Sequence, residues 1–172
     1  MGRAKKQLAK KEIKKVAKKE TPTLTNRKAH HDFEILETIQ VGLILSGTEV
    51  KSLRLGRGQL NEGFMKINKN NEAFLYGVTI PKYEFGNRYN HDPDRIKKLL
   101  LNRKELLKWR SRMERDKLTA IPLKLYFKDS WVKVLIGLAK RKLNEDKRRD
   151  LKEKAVTREL QREVKNKNFK LT

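Results

Sequence analysis

The second half of the chain carries the pattern that most restricts its fold, an alternation of apolar and polar residues. The apolar members of this alternation are Leu123, Leu125 and Phe127, and the polar members are Lys124, Tyr126 and Lys128. A turn at Asp129 and Ser130 then leads into a second apolar-rich segment at residues 131–139. Successive side chains of a strand point to opposite faces, so this period of two predicts an antiparallel pair of strands.

Shorter strand patterns occur earlier in the chain. Between residues 31 and 45 apolar residues recur with a period near two, which predicts two strands or one strongly bent strand. Gly42 in its middle indicates a bulge or a close backbone approach. Two more strands are predicted at residues 63–68 and 73–80, joined by an Asn-rich turn at 69–72.

Helix signals lie between these strands. Ser46 and Glu49 have capping-box spacing at the start of a short helix, and Gly56 marks its end. Asn102 and Glu105 form the corresponding pair before a helix that reaches about residue 117. We therefore expect a mainly β protein with two or three packed helices. About six short strands favour a small closed antiparallel barrel of the OB-like kind, because closure removes exposed strand edges.

The charge of the chain points to a polyanionic partner. Its 172 residues include 44 Lys and Arg against 21 Asp and Glu, a formal net charge of +23. A charge of this size and sign favours nucleic acid. Cysteine is absent, and neither a secretory leader nor an apolar run of membrane-spanning length occurs in the sequence. We expect a soluble cytoplasmic protein without a membrane partner, cofactor or metal.

The composition divides the chain into three parts. Residues 1–22 are Lys-rich and predict a disordered basic arm, although a membrane-surface helix and a transit peptide remain alternatives. Residues 23–142 form the predicted RNA-binding domain. Residues 143–172 carry only a narrow apolar stripe of Val156, Leu160 and Val164, so we expect a tail that is disordered when free and becomes helical on binding.

Aromatic, Asn, His and basic residues crowd together between residues 83 and 104. Such groups are costly to bury without partners. RNA can use them, since unstacked bases stack on aromatic and guanidinium planes while phosphates and 2′-hydroxyls accept hydrogen bonds from basic side chains and amides.

Several motifs, in register, resemble those of the small protein B (SmpB) family, the bacterial tmRNA-binding proteins of trans-translation. The resemblance covers roughly residues 25–155. The motifs are NRKAHHDFEILET, GLILSGTEVKSLR, YEFGNRYNHDP, KLLLNRKE, GLAK and DKR.

The resemblance implies a six-stranded barrel that binds the tRNA-like domain of tmRNA, and a tail that enters the decoding region and mRNA channel of the small ribosomal subunit. It also implies one monomer per tmRNA. The implied RNA contacts are Gly86, Asn87, Asn90, Leu100, Asn102 and Lys133, and the implied ribosomal contacts are Asp146, Lys147 and Arg148. We extend the predicted RNA-contacting set to Gln40, Arg88, His91, Lys140 and Arg141.

Three of these residues have simpler explanations. Asn102 can be a helix cap, Leu100 a core residue and Lys133 part of a solvated strand face. Three positions also depart from the family pattern. Gln40 stands where an acidic residue is usual, Arg141 where a glycine is usual, and Glu145 where a histidine is common.

Two other functions remain open from the sequence. A structural rRNA-binding protein would share the charge and the barrel, but it would bind ribosomes without tmRNA. A metal-dependent nuclease would need ligands from two sets that are about 60 positions apart, and no recognised ligand spacing supports it. Those sets are His30, His31 and Asp32, and then His91 and Asp92.

Overall fold

The computed structural model describes residues 22–86, 90–143, 159–160 and 162. Within these ranges the protein is mainly β, with seven strands and three helices of defined bounds. In chain order they are β1 (Leu24–Thr25), α1 (Arg27–Asp32), β2 (Phe33–Leu43), α2 (Gly47–Arg54), β3 (Phe64–Ile67), β4 (Ala73–Tyr76), β5 (Lys97–Leu100), α3 (Arg103–Arg115), β6 (Thr119–Lys128) and β7 (Trp131–Arg141).

All seven described strands belong to one antiparallel sheet with the order β1-β6-β3-β4-β5-β2-β7. Strand β6 also pairs with β7. The pairing therefore runs from β6 through β3, β4, β5, β2 and β7 and returns to β6, with the short β1 added at β6. The mainly β class and the helix count predicted from the sequence are confirmed.

One-residue irregularities in β2 and β6 change which side chains face the core. The register shifts between Ile35 and Glu37 in β2, and between Pro122 and Lys124 in β6. Of the predicted alternatives for residues 31–45, a single strand is observed, and its irregularity lies at residues 35–37 rather than at Gly42. Proline cannot donate to the ladder, which explains the irregularity in β6.

Helix α1 packs on strands β6 and β7 in a small cluster of its own, apart from the main core. Leu123 packs with Ala29 of α1 in a small second cluster, whereas Leu125 and Phe127 belong to the main core. The predicted alternation is confirmed, because Leu123, Leu125 and Phe127 are all buried although they pack in two clusters. Asn26 caps α1 by accepting from Ala29 N. Its Nδ2 donates to Leu60 O in a loop and to Pro122 O in β6, which fixes the helix to the sheet.

Helix α2 begins and ends where the sequence predicted. Ser46 and Glu49 form a complete capping box, with Ser46 N donating to Glu49 Oε2 over 2.6 Å. Gly56 follows the helix with a φ of +74°, in the left-handed region where a side chain is strained. Leu53 packs in the core, and Ser52 donates to the carbonyl of Pro81 over 2.7 Å.

The β3–β4 hairpin is shorter than expected. Its turn is the predicted one, with Asn71 at a φ of +57°. Strand β4 ends at Tyr76, because Gly77 has a φ of +64° and an added Cβ there would lie 2.4 Å from Glu62 O. Val78 and Ile80 beyond it are still buried, so the apolar pattern of residues 73–80 is explained although only half of the segment is a strand.

Strand β5 has no counterpart among the predicted strands, whereas α3 matches its prediction. Leu106 and Trp109 are the buried residues of α3. Lys108 and Arg112 on the same helix form ion pairs with Glu37, which joins α3 to β2. The hydrogen bond from Lys108, followed by the nearby cations, holds the pKa of Glu37 below its usual range.

The predicted terminal extensions fall almost wholly outside the described residues. Within the predicted tail, Glu159, Leu160 and Arg162 have helical backbone and exposed side chains. None of the helices in the described ranges is both long and apolar enough to cross a membrane.

Candidate nucleic-acid interface

Side chains from four neighbouring strands form one row across the sheet. Lys133 of β7 lies opposite Tyr126 of β6 and opposite Gly42 of β2. Gly42 in turn lies opposite Leu100 of β5. Neighbouring strands are about 5 Å apart, so the row is about 15 Å long. The structure thus brings Leu100 and Lys133, which were predicted separately, onto one surface.

Gly42 lies at the centre of this row. An added Cβ at this position would lie 3.3 Å from Leu100 Cβ, so a larger residue would have to displace the leucine. The close neighbour of Gly42 is thus the Leu100 side chain, whereas a close approach of backbone was one of the two predicted alternatives. The absence of a side chain at Gly42 leaves room for Leu100 on this face.

Gln40 lies one pleat along β2 from Gly42 and is exposed. Its side-chain amide donates to the hydroxyl of Tyr126. The ammonium of Lys124 lies 5.8 Å from the centroid of the Tyr126 ring. The sequence analysis did not select Tyr126 or Lys124 as site residues, although the alternation had already placed both on the polar face of β6.

Adjacent leucines in β5 have opposite environments. Leu99 is 3% exposed and packs in the core, whereas Leu100 is 56% exposed. The alternative interpretation of Leu100 as a core residue is therefore wrong. On β7, Lys133 is half-buried between the buried Val132 and Val134, so its position on the outer strand face is confirmed.

Asn90 closes the base of the loop that begins at Tyr83. Its Nδ2 donates to Tyr83 O over 2.7 Å, and its Oδ1 accepts from Tyr83 N over 3.3 Å and from His91 N over 3.1 Å. Gly86 N donates to Tyr83 O over 2.8 Å. An added Cβ at Gly86 would lie 2.6 Å from Asn90 Nδ2, so this packing requires glycine. Asn90 and Gly86 thus fix the backbone at Tyr83, where this loop begins.

His91, which was predicted to contact RNA, is buried, with 8% of its surface exposed. Its Nε2 lies 2.9 Å from Ile80 O, and its Nδ1 lies 2.8 Å from Thr48 Oγ1. A carbonyl only accepts, so Nε2 carries the proton in this arrangement. The ring links the loop to the first turn of α2, and a direct RNA contact through its nitrogens would break both bonds.

Asn102 is an exposed N-cap of α3, and its Oδ1 accepts from Lys104 N over 3.2 Å. The cap uses this single bond without a reciprocal bond from Glu105, so of the two predicted capping pairs only that of Ser46 and Glu49 is a complete box. The capping role is confirmed. Asn102 follows Leu100 by two residues, so its position also adjoins the row of side chains described above.

Lys140 and Arg141 lie away from that row. They are the exposed last residues of β7, opposite Glu34 and Phe33 of β2. Seven residues of strand separate Lys140 from Lys133, which corresponds to about 23 Å. Among the described residues, Lys140 and Arg141 therefore lie on a different part of the surface from Leu100 and Lys133.

The SmpB protein family model matches residues 23–166 of this sequence. The chain belongs to the SmpB family.

Curated relatives agree with this family assignment. The SsrA-binding protein of Enterococcus faecalis is 52% identical over 141 residues, which cover 82% of this chain and 91% of the relative. That of Geotalea uraniireducens is 50% identical over 143 residues, covering 83% and 94%. That of Staphylococcus carnosus is 47% identical over 155 residues, covering 90% and 99%.

A solved structure is also similar to this SmpB-family chain. It is described as "tmRNA-SmpB: a journey to the center of the bacterial ribosome". The matching chain has a TM-score of 0.61 and 44% sequence identity, over 72% of this chain and 86% of the other. At this identity the likeness extends beyond the general fold.

A buried lysine supports the loop of this SmpB-family protein. Lys97 is 0% exposed, and its ammonium donates to Val78 O and, over 3.0 Å, to Pro93 O. Burial lowers the pKa of Lys97 from its usual value of 10.5. Lysine on a strand is ordinarily expected to be exposed, so no local signal in the sequence identified this role.

Glu49 provides a second support for the same loop. Arg95 donates to its carboxylate through Nη2 over 2.6 Å and through Nε over 3.3 Å. Burial raises the pKa of Glu49, but the hydrogen bonds from Arg95 and Ser46 outweigh burial and leave this pKa below its usual range. The forked contact holds residues 92–96 against the start of α2.

The remaining predicted contacts cannot be placed. Asn87 and Arg88 of the loop, Asp146, Lys147 and Arg148 of the tail, and the departure at Glu145 lie outside the described residues.

The residues proposed for a nuclease do not form one site. His31 Nδ1 lies 3.0 Å from Asp32 Oδ1 at the surface, whereas His91 bonds to Thr48 and Ile80. In the described part of the chain, no group of three or more His, Cys, Asp and Glu side chains is arranged to hold a metal ion.

Proposed function

We propose that this protein is an RNA-binding adaptor that binds the tRNA-like domain of tmRNA and delivers it to stalled ribosomes for trans-translation. Family membership, the SsrA-binding relatives and the similar tmRNA-SmpB structure support this proposal. The observation that carries it is the row in which Leu100, Gly42, Lys133 and Tyr126 become neighbours through strand register.

The proposed binding surface is the outer face of a closed, OB-like antiparallel barrel. Support for closure comes from the strand pairing that leaves β6 and returns to it. We propose that Leu100 packs on a ribose or base, Lys133 contacts a phosphate, and Gln40 and Asn102 hydrogen-bond to the RNA at the margins. Asn90 and Gly86 act by shaping the adjoining loop, and His91 acts as its buried support.

The three predicted parts of the chain receive separate roles. Residues 23–142 are the proposed RNA-binding domain of a cytoplasmic protein, with residues 1–22 as a basic arm. Residues 143–172 are the proposed ribosome-binding tail, in which Asp146, Lys147 and Arg148 reach the decoding region. The large positive charge of the whole chain supports association with tmRNA and with the rRNA of the ribosome.

The proposal is tested by measuring the affinity of the pure full-length chain for two RNAs, the isolated tRNA-like domain of tmRNA and a random RNA of equal length. We expect binding of both to weaken steeply with salt, and a preference for the tRNA-like domain that survives at moderate salt. Equal affinities for the two RNAs would refute the proposal. Sequencing the RNA that co-purifies with the protein distinguishes the proposed adaptor, which would carry tmRNA, from a structural rRNA-binding protein, which would carry rRNA without tmRNA.

A pair of charge variants locates the surface. Lys133→Gln should weaken binding of the tRNA-like domain and reduce the slope of log K against log salt by about 0.7 to 1, because one phosphate contact is lost. Lys69→Gln removes an equal charge from the exposed β3–β4 turn, outside the row, and serves as the matched control. Equal losses in both variants would mean that charge acts without a defined contact at Lys133.

A further inference from the structure

Phe85 is 80% exposed, more than any other large hydrophobic side chain in the described residues. Burying a phenylalanine is among the larger stabilisations available to a folded chain. Because Phe85 stays exposed, the fold gains almost none of this stabilisation, and folding does not explain the aromatic residue at this position.

The ring is nevertheless held from one side. Its centroid lies 5.6 Å from that of Tyr83, with an interplanar angle of 64°, which is an edge-to-face contact. The ammonium of Lys51 on α2 lies 5.4 Å from the centroid of the Tyr83 ring. Phe85 therefore projects from a layer formed by an aromatic ring and a cation, and most of its own surface stays open.

The residues on either side of Phe85 are held by hydrogen bonds. The Glu84 carboxylate accepts from Arg57 Nη1 over 2.5 Å, and Gly86 N donates to Tyr83 O over 2.8 Å. The Asn90 amide holds both backbone groups of Tyr83. A ligand that binds to this ring therefore contacts a surface that is already ordered, so binding loses little further conformational entropy of the protein.

We propose that Phe85 stacks on an unpaired nucleobase of the bound RNA, with Lys51 beside it as a partner for a neighbouring phosphate. This inference rests on the proposed function and adds a contact that the Leu100 row does not include. The surroundings favour RNA over an apolar protein surface, because the nearby exposed residues Lys51 and Lys82 are cations and the Glu84 carboxylate is paired with Arg57. A base supplies the flat partner that a fixed aromatic ring accepts, and a phosphate supplies the anion.

Three substitutions at one position test the stacking. Phe85→Ala should weaken binding of the tRNA-like domain by about 5- to 100-fold. Phe85→Trp should bind within about twofold of the wild type or more tightly, since a larger ring stacks as well. Phe85→Leu keeps apolar area but has no ring plane, so it should bind about as weakly as the alanine variant. All three should leave the thermal midpoint almost unchanged, because the side chain is exposed.

Leu107→Ala is the matched control, because it removes an exposed apolar side chain on α3, away from the loop, and should not change the affinity. A second measurement places 2-aminopurine at single unpaired positions of the RNA. We expect one position whose fluorescence is quenched by the wild type and by Phe85→Trp, but not by Phe85→Ala.

Wild-type affinity in Phe85→Ala would overturn the inference, and wild-type affinity in Phe85→Leu would reduce the contact to a simple apolar one without stacking. Either result leaves the proposed function intact if the wild type still prefers the tRNA-like domain. If the wild type shows no such preference, the proposed function fails. The stacking is then judged by the same Phe85→Ala comparison on the random RNA.

Discussion

Leu100→Ala separates RNA contact from folding more cleanly than any other change on the proposed surface. Leu100 is 56% exposed, so the folded protein already hides less than half of its area. Fully burying a leucine is worth about 1.5–3 kcal/mol. Covering the exposed part with RNA should therefore contribute about 1 kcal/mol, and its loss should weaken binding about five- to tenfold. The same change should lower the free energy of unfolding by less than about 1 kcal/mol.

The neighbouring residue provides the internal comparison. Leu99 is 3% exposed and lies in the core, so Leu99→Ala should cost about 2–5 kcal/mol of stability through the cavity it leaves. The fraction of that variant that stays folded should bind RNA like the wild type. The two variants thus have opposite expected effects although their positions are adjacent in sequence.

Two measurements decide the matter. Urea unfolding gives the free energy of unfolding, and titration of the labelled tRNA-like domain gives the affinity, corrected for the folded fraction. If Leu100→Ala unfolds as easily as Leu99→Ala, or binds with wild-type affinity, the assignment of Leu100 to the RNA surface is refuted.

Three further predictions concern other parts of the chain. Asn102→Ala should lower stability by about 1 kcal/mol through loss of the α3 cap, and it should also weaken RNA binding. Asn102→Asp keeps the cap, so it should restore stability but not binding. Recovery of both properties in a combined unfolding and binding assay would leave Asn102 as a cap alone. Burial lowers the pKa of Lys97 in the folded state, so the unfolded chain holds that proton more tightly. The free energy of unfolding should therefore rise with pH between the lowered pKa and 10.5. Urea midpoints across this window should rise in the wild type and stay flat in Lys97→Met, and parallel curves would contradict the assignment. Truncation after Leu143 should leave binding of the tRNA-like domain nearly intact but abolish tagging of stalled chains in a translation extract, and tagging by the truncated chain would refute the role given to the tail.

Much of the local structure follows from neighbours in the sequence. The capping box at Ser46 and Glu49 and the turn at Asn71 depend on side chains that act within four residues. The alternation in β6 and β7 likewise reports which side of a strand is apolar. These features were predicted correctly because the interactions that cause them span a single turn or pleat.

Long-range pairing decided the rest. Only the register of β2 with β5 and β7 brings Leu100, Gly42 and Lys133 together. Next to the register shift at Pro122, Leu123 packs in the second buried cluster with Ala29. A one-residue shift exchanges the two faces of a strand, so no pattern within one strand can fix which residues meet across a sheet.

Burial of polar groups is the other property that the sequence did not reveal. Lys97 and His91 read as surface residues by type, yet both are buried because carbonyls of a distant loop accept their hydrogen bonds. The cost of burying such a group depends on whether partners are present, and those partners exist only in the folded chain. The sequence by itself therefore determined the long strands β2, β6 and β7, the caps at Ser46 and Asn102, the positive charge and the aromatic loop. The tertiary structure decided which of these residues face a partner and which hold the surface in shape.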